Sequence, residues 1–424
     1  MVASSLKDSP EAVTPISGLD SGLLRVAAIY GANASGKTNI IKALQWMAGA
    51  VENSHRNWPP EGPIPRDPFL LDAHSKSAPS SFEVDLLIDR VRFNYGFTVN
   101  DSEVLTEWLR AYPTDKSPMK RQTWLKREMS TYVFGKKLIG DNHAIERLTR
   151  PNSLFLSAAA QNNHEALLPI YKWFAEQFTH VPVERGYLRM RTAEMCQDEG
   201  FRSSLHRILK AADLGVVGVD VHLEDAFLLP QSTRGDAEER ALLKEVIGAI
   251  RKLAARVKER DPSESPLWDK KPVLALIHKG SVEGGVALGE GKESNGTLAF
   301  FGLSGPVLLA IKSGLTICID ELDASLHPLL ALEVVRLFND PKLNPQGAQI
   351  IFTTHDTNIL DRASLRRDQI WFTEKDAEGG THLYPLTDFK PRKNENLERG
   401  YLQGRYGAIP FLGSTNFLVQ SPTK

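Results

Sequence analysis

Cysteine is nearly missing from this chain. Cys196 and Cys318 are the only two in 424 residues, too few and too scattered for a disulfide framework or a structural zinc site. Cys318 lies inside an apolar, strand-like run and reads as a small buried residue. An excess of charge is lacking as well. The formal net charge is −1, which gives no general attraction to nucleic acid or an anionic membrane, so any such contact requires a local basic patch. No apolar run approaches the length of a membrane span, and the first residues lack the charged-then-apolar pattern of a signal peptide. The expectation is therefore a cytoplasmic protein with no membrane partner. Internal repeats and low-complexity segments are absent too. What is present, 42% hydrophobic and 24% charged residues, is ordinary globular composition, and the length allows two or three structural units.

Residues 1–23 are polar with Pro10 and Pro15 and read as irregular, and Val51 to Pro79, rich in Pro, Ser and Asp, reads as a long surface loop. Phe82–Ile88 and Val91–Val99 alternate in polarity around Asp89-Arg90, the pattern of a hairpin. Val104–Tyr112, Gln122–Lys126 and Thr131–Phe134 extend it as an antiparallel meander. Ser153–Ser157 is a short apolar strand candidate. Helical spacing follows over His164–Phe178, Phe201–Ala212 and Ala237–Arg260, the last an amphipathic core helix rather than a long coiled-coil arm. From Pro272 the chain alternates strands (Val273–His278, Leu315–Ile319, Ala348–Phe352) with helices (Leu298–Ile311, Leu329–Phe338), which predicts a mostly parallel sheet.

The chemistry gathers after the run Leu24–Tyr30. Gly31-Ala32-Asn33-Ala34-Ser35-Gly36-Lys37-Thr38 follows it directly, and a helix-like stretch starts at Asn39. Strand, glycine-bounded loop and helix with the spacing G-x-x-x-x-G-K-S/T define a phosphate-binding loop. The glycines let the backbone wrap an anion, and the helix N-terminus adds partial positive charge. Lys37 reaches the β/γ-phosphates and the Thr38 hydroxyl ligates Mg²⁺, so ATP and Mg²⁺ are the expected ligands.

A second half of the site is spread along the chain. Leu315–Ile319 ends in Asp320-Glu321, a strand delivering one acid to hold Mg²⁺ and a second to act as general base. Ile350–Thr354 ends in His355, placed to donate to the γ-phosphate. Ser294-Asn295-Gly296-Thr297 opens a helix and offers an anion site whose phosphate need not belong to the same chain. Singly, each of these is a common turn or strand end; in this order after a phosphate loop they form a set.

The segments GANASGKT, ESNGT, ICIDELDASLHP and IIFTTHD resemble the ATP-binding-cassette head of SMC-like proteins. More narrowly, they resemble the stand-alone AAA-family ATPases of bacterial abortive-infection and phage-defence loci, relatives of the OLD-type ATPases. SLFLSAAAQNNHE, LRRDQIWFTEKD and YLQGRYGAIPF match as well, so the resemblance covers nearly the whole chain. It implies an α/β fold: a P-loop head with an antiparallel β-lobe and an inserted, mainly helical lobe. The expected divisions are 1–163, 164–271 and 272–424.

The resemblance also implies a homodimer closed on two ATP molecules, with Ser294 and Gly296 reaching the γ-phosphate of the other subunit and Asp323 as the D-loop acid at the interface. Gln161, after its apolar run, is the candidate Q-loop glutamine. The signature departs from the transporter Leu-Ser-Gly-Gly-Gln, and relatives open with a strand carrying an Asn-Phe-Arg-like run that is not seen here. Met1 is accordingly expected to be an internal start, with an adenine-side contact missing.

Three functions compete. The first is an ATP-driven dimeric switch in anti-phage defence, controlling a separately encoded effector. The second is a DNA-repair or chromosome-maintenance ATPase, which needs a basic surface; the candidate clusters are Arg185, Arg189 and Arg191, and Lys120, Arg121, Lys126 and Arg127. The third, a transporter subunit, is disfavoured by the inserted lobe and the altered signature.

Overall fold

The computed structural model describes residues 1–16, 21–114, 120–182, 185–224, 271–362, 365–393 and 395–410. In chain order, β1 (Val26–Gly31) leads into α1 (Lys37–Asn53). Five strands follow: β2 (Ser80–Ile88), β3 (Val91–Val99), β4 (Val104–Pro113), β5 (Gln122–Glu128) and β6 (Thr131–Phe134). Next come α2 (Phe155–Gln161), β7 (Phe178–Val181), α3 (Arg185–Met195), α4 (Glu199–Ala211), β8 (Val216–Glu224), β9 (Lys271–His278) and β10 (Val286–Gly289). The last part holds α5 (Asn295–Ser313), β11 (Thr316–Ile319), α6 (Pro328–Asn339), β12 (Gln349–Thr353), β13 (Ile370–Lys375), β14 (Thr381–Pro385) and α7 (Leu397–Leu402).

The chain divides into two compact units, one of residues 1–183 with 309–424 and one of residues 184–308. This differs from the expected boundaries at 163/164 and 271/272. The signature segment belongs to the inserted unit, in which helix outweighs strand among the described residues although a small sheet is present as well. It contains the antiparallel sheet β8-β9-β10 beside α3 and α4. The predicted helix Ala237–Arg260 lies outside the described residues.

The first unit is built on a six-stranded sheet in the order β14-β13-β1-β12-β11-β7. All pairings are parallel except the edge pair β13–β14. Every residue of β1 and of β11 is buried, as expected of parallel strands covered on both faces. The predicted meander is present in full as the sheet β2-β3-β4-β5-β6, with register turning at Asp89-Arg90, both at positive φ. One core joins the meander to α1 and α2. Met47 and Val51 of α1, Tyr95, Phe97 and Leu109 of the meander, and Phe155, Leu156, Ala158 and Ala159 of α2 are all buried in it, each large apolar side chain contributing about 1.5–3 kcal/mol.

Five local expectations are corrected. Ser153–Ser157 is not a strand; Phe155–Gln161 is a helix whose first amides are taken by a buried carboxylate, Phe155 N–H to Glu107 Oε2 at 2.7 Å and Leu156 N–H to Glu107 Oε1 at 3.1 Å. The helical reading of His164–Phe178 holds only in part. Leu168–Lys172 is α-helical and Trp173–Gln177 a π-helical turn, after which Phe178 begins a strand of the central sheet. The N-terminal segment is not wholly irregular, since Val13–Thr14 pairs with Leu23–Leu24, and the loop before β2 carries a short helix at Ala73–Ser77. Finally, α5 does reach the length and mean hydropathy of a membrane span, 19 residues at 1.3, with 61% of it buried as befits a core helix.

Candidate nucleotide site

β1 sits in the middle of the parallel sheet, so its C-terminal end places the loop 31–38 where ligands bind in such folds. The loop is curled by two left-handed residues, Ala34 at φ 62° and Gly36 at φ 99°, a conformation that turns successive amides inward. α1 begins at Lys37, two residues earlier than the sequence suggested. Lys37 is 6% exposed, and its ammonium donates to the carbonyls of Gly31 (2.9 Å) and Ala32 (3.1 Å). Desolvation holds its pKa below the ordinary lysine value, against the opposing pull of Asp320, Glu321 and Asp323.

The Walker B strand β11 is separated from β1 by β12, and the two motifs meet across that gap. Thr38 Oγ1 donates to Asp320 Oδ2 at 2.8 Å. The other oxygen of Asp320 accepts from Thr353 Oγ1 at 2.5 Å, and the same hydroxyl accepts from Glu321 N–H at 2.7 Å. Glu321 has φ 51°, a left-handed conformation that costs a residue with a Cβ about 1–2 kcal/mol. Glu321 is an exposed residue, whereas Asp320 is buried. Asp323 accepts from His355 N–H at 3.3 Å, tying the D-loop to the end of β12. Partial desolvation, and then the Lys37 charge, hold the His355 imidazole below its usual pKa, so it is neutral near pH 7.

Gly31, Ala32, Asn33, Ala34, Ser35, Gly36, Lys37, Thr38, Asp320, Glu321, Asp323 and His355 therefore belong to one neighbourhood within the first unit. Ser294 and Gly296 belong to the inserted unit, where Ser294 Oγ accepts from Thr297 N–H at 3.1 Å and caps α5. Gln161 does not follow a strand. It ends α2, so the reason for naming it the Q-loop residue is gone.

Three threonines were not foreseen. Thr353 is described above. Thr373 Oγ1 lies 2.7 Å from Ser35 Oγ, and Thr381 Oγ1 donates to Ser35 O at 3.1 Å, so the hairpin β13–β14 walls one side of the loop. A usable signal existed: Ile350–Thr353 and Ile370–Thr373 are both apolar runs closed by a buried threonine on strands that pair in parallel with β1.

The basic clusters fare less well. Arg127 is 2% exposed and pairs with Glu107, Lys126 pairs with Glu128 at 2.8 Å, Arg189 with Glu290 at 3.0 Å and Arg191 with Glu194 at 2.7 Å. Lys120 and Arg121 are exposed, and the Arg185 side chain lies outside the described residues.

Among the described residues, no three His, Cys, Asp or Glu converge as a protein-only metal cage. The hydroxyl of Thr38 and the carboxylate of Asp320 are hard oxygen donors, a set that suits Mg²⁺ completed by phosphate oxygens and water.

Loop, strand order and carboxylate placement define a P-loop nucleotide-binding protein of the α/β class. Residues 26–361 match the family described as "AAA domain, putative AbiEii toxin, Type IV TA system", and the chain belongs to that family. No curated protein is similar enough to match. Among solved structures, the chain is similar to the Smc head domain with an extended coiled coil bound to the C-terminal domain of ScpA from Pyrococcus furiosus. The identity is 13%, over 89% of this chain and 96% of that one, with a TM-score of 0.31. It is also similar to the recombination mediator protein RecF with ATP, at 12% identity over 88% and 96% with a TM-score of 0.28. At these values nothing about mechanism transfers from either.

Proposed function

We propose that the chain is an ATP-hydrolysing, ATP-dimerised switch of anti-phage defence that acts on a separately encoded effector in the cytoplasm. The observation that carries the ATPase reading is the Thr38–Asp320 hydrogen bond with Glu321 next in sequence, since it brings phosphate loop, metal-side acid and base together at the C-terminal ends of the central parallel strands. Lys37 holds the terminal phosphates. The Glu321 carboxylate takes a proton from the attacking water as its oxygen bonds to the γ-phosphorus; the bond to the β–γ bridging oxygen breaks and ADP leaves with the electron pair. Neutral His355 donates a hydrogen bond to the γ-phosphate. Thr38 and Asp320 would hold Mg²⁺, which would supply charge neutralisation of the phosphate oxygens.

Family membership supports the defence setting, and the signature Ser294 and Gly296 at a capped helix start supports closure on a second copy's nucleotide. The ion-paired state of Lys126, Arg127, Arg189 and Arg191 weighs against the reading of a DNA-repair ATPase acting directly on DNA. Glu321→Gln tests the proposal. It is expected to abolish phosphate release and to accumulate an ATP-bound dimer by size-exclusion chromatography with light scattering. Release at the wild-type rate would remove Glu321 as the base.

A further inference from the structure

We propose that Thr353 is a positioning residue that latches the metal-side acid Asp320 and the base Glu321 to the strand ending in His355, an inference that rests on the hydrolytic reading above. Thr353 is fully buried at the last position of β12. Packing alone favours valine at such a place, since a buried hydroxyl is costly unless it is hydrogen-bonded. Here the hydroxyl spends its single proton on Asp320 Oδ1 at 2.5 Å and accepts from Glu321 N–H at 2.7 Å. The Thr353 carbonyl accepts from Leu322 N–H at 3.0 Å. One residue of β12 therefore binds three consecutive residues of the turn after β11.

That turn is the strained one. Glu321 holds φ 51°, and a left-handed non-glycine residue persists only where its surroundings over-determine it. The bonds from Thr353 to the amides on either side of the Glu321 carbonyl pin it from β12, and the bond from Ala324 N–H to Glu321 O at 2.9 Å holds it within the turn. Two residues further on, His355 N–H binds Asp323, closing a second stitch between the same two strand ends. A displacement of His355 along the direction of β12 is transmitted through Thr353 to the aim of the Glu321 carboxylate and to the orientation of the Asp320 carboxylate. Nucleotide affinity, set mainly by the phosphate loop on β1 and α1, does not pass through Thr353.

The test compares wild type with Thr353→Val, which keeps the shape and removes the hydroxyl, and Thr353→Ser, which keeps the hydroxyl. Thr353→Ala is read like the valine variant if the valine chain does not fold. Expected are a fall in kcat of about tenfold or more in Thr353→Val with KM for ATP within about threefold, and recovery in Thr353→Ser to within about threefold of wild type. Crystal structures provide a readout independent of turnover: Glu321 leaves positive φ in Thr353→Val and keeps it in Thr353→Ser. A Thr353→Val protein with the wild-type kcat, or with Glu321 still at positive φ, overturns the latch. A wild-type protein that does not hydrolyse ATP overturns the hydrolytic reading instead, and the φ of Glu321 still decides the latch.

Discussion

Gly36→Ala probes the contact between the phosphate loop and a hairpin more than three hundred residues away in the chain. Gly36 has φ 99°, and a Cβ there would lie 2.0 Å from Thr381 Oγ1, 2.7 Å from Thr381 Cγ2 and 2.8 Å from Thr381 Cβ. The backbone term is about 1–2 kcal/mol for a left-handed alanine, and the overlap adds about 1–3 kcal/mol as β14 is pushed off the loop. Thr381→Ala alone loses the hydrogen bond to Ser35 O, worth about 1 kcal/mol. In the double variant the two nearest clashing atoms are gone while Thr381 Cβ remains, so the combined loss falls short of additivity by about 1–2 kcal/mol. Hydrogen exchange of the amides of α1 and β13–β14, read by mass spectrometry, reports the local opening free energies. Gly49→Ala is the internal control: it lies inside α1, a Cβ there meets nothing within 4 Å, and a gain of about 0.5–1 kcal/mol is expected. Unchanged protection in Gly36→Ala, or strict additivity in the double variant, would refute the account of the hairpin as a wall of the loop.

Two further predictions concern stability. Burial holds the imidazoles of His55, His164, His180 and His355 below the ordinary histidine pKa. As pH falls below about 6.5, the unfolded chain binds protons that the folded chain does not. Stability conferred by these neutral rings is complete above that value and is lost toward acid, so the midpoint of thermal unfolding should drop between pH 7.5 and 5.5; a flat or rising midpoint counts against it. Arg127→Met leaves Glu107 buried without its cation, while Glu107 keeps the Tyr95 hydroxyl at 2.9 Å and the two amides of α2. A loss of about 3–5 kcal/mol is expected, seen in urea unfolding and as faster exchange at α2; a loss under about 1 kcal/mol would show that those three donors suffice.

What the sequence determined by itself was whatever depends on local spacing. The placement of the candidate phosphate loop between β1 and α1, of the acids after β11 and of the histidine after β12 was legible because each follows an apolar run, and the meander because side chains alternate along a half-covered strand. Where the deciding partner is remote, the same reasoning had nothing to act on. An apolar run such as Ser153–Ser157 has no period that separates strand from buried helix, and Glu107, far upstream, supplies the carboxylate that caps the helix. Phe178–Val181 became a strand of the central sheet only because β11 offered it an edge. The basic run at Lys126-Arg127 became half core once Arg127 turned inward to Glu107. Thr353, Thr373 and Thr381 look like any strand threonines until the sheet order sets β12 and β13 on either side of β1, bringing their hydroxyls to the loop and the acids it serves. Spacing named the candidate phosphate-side groups; parallel strand order, which no local pattern encodes, chose the residues that hold them in place.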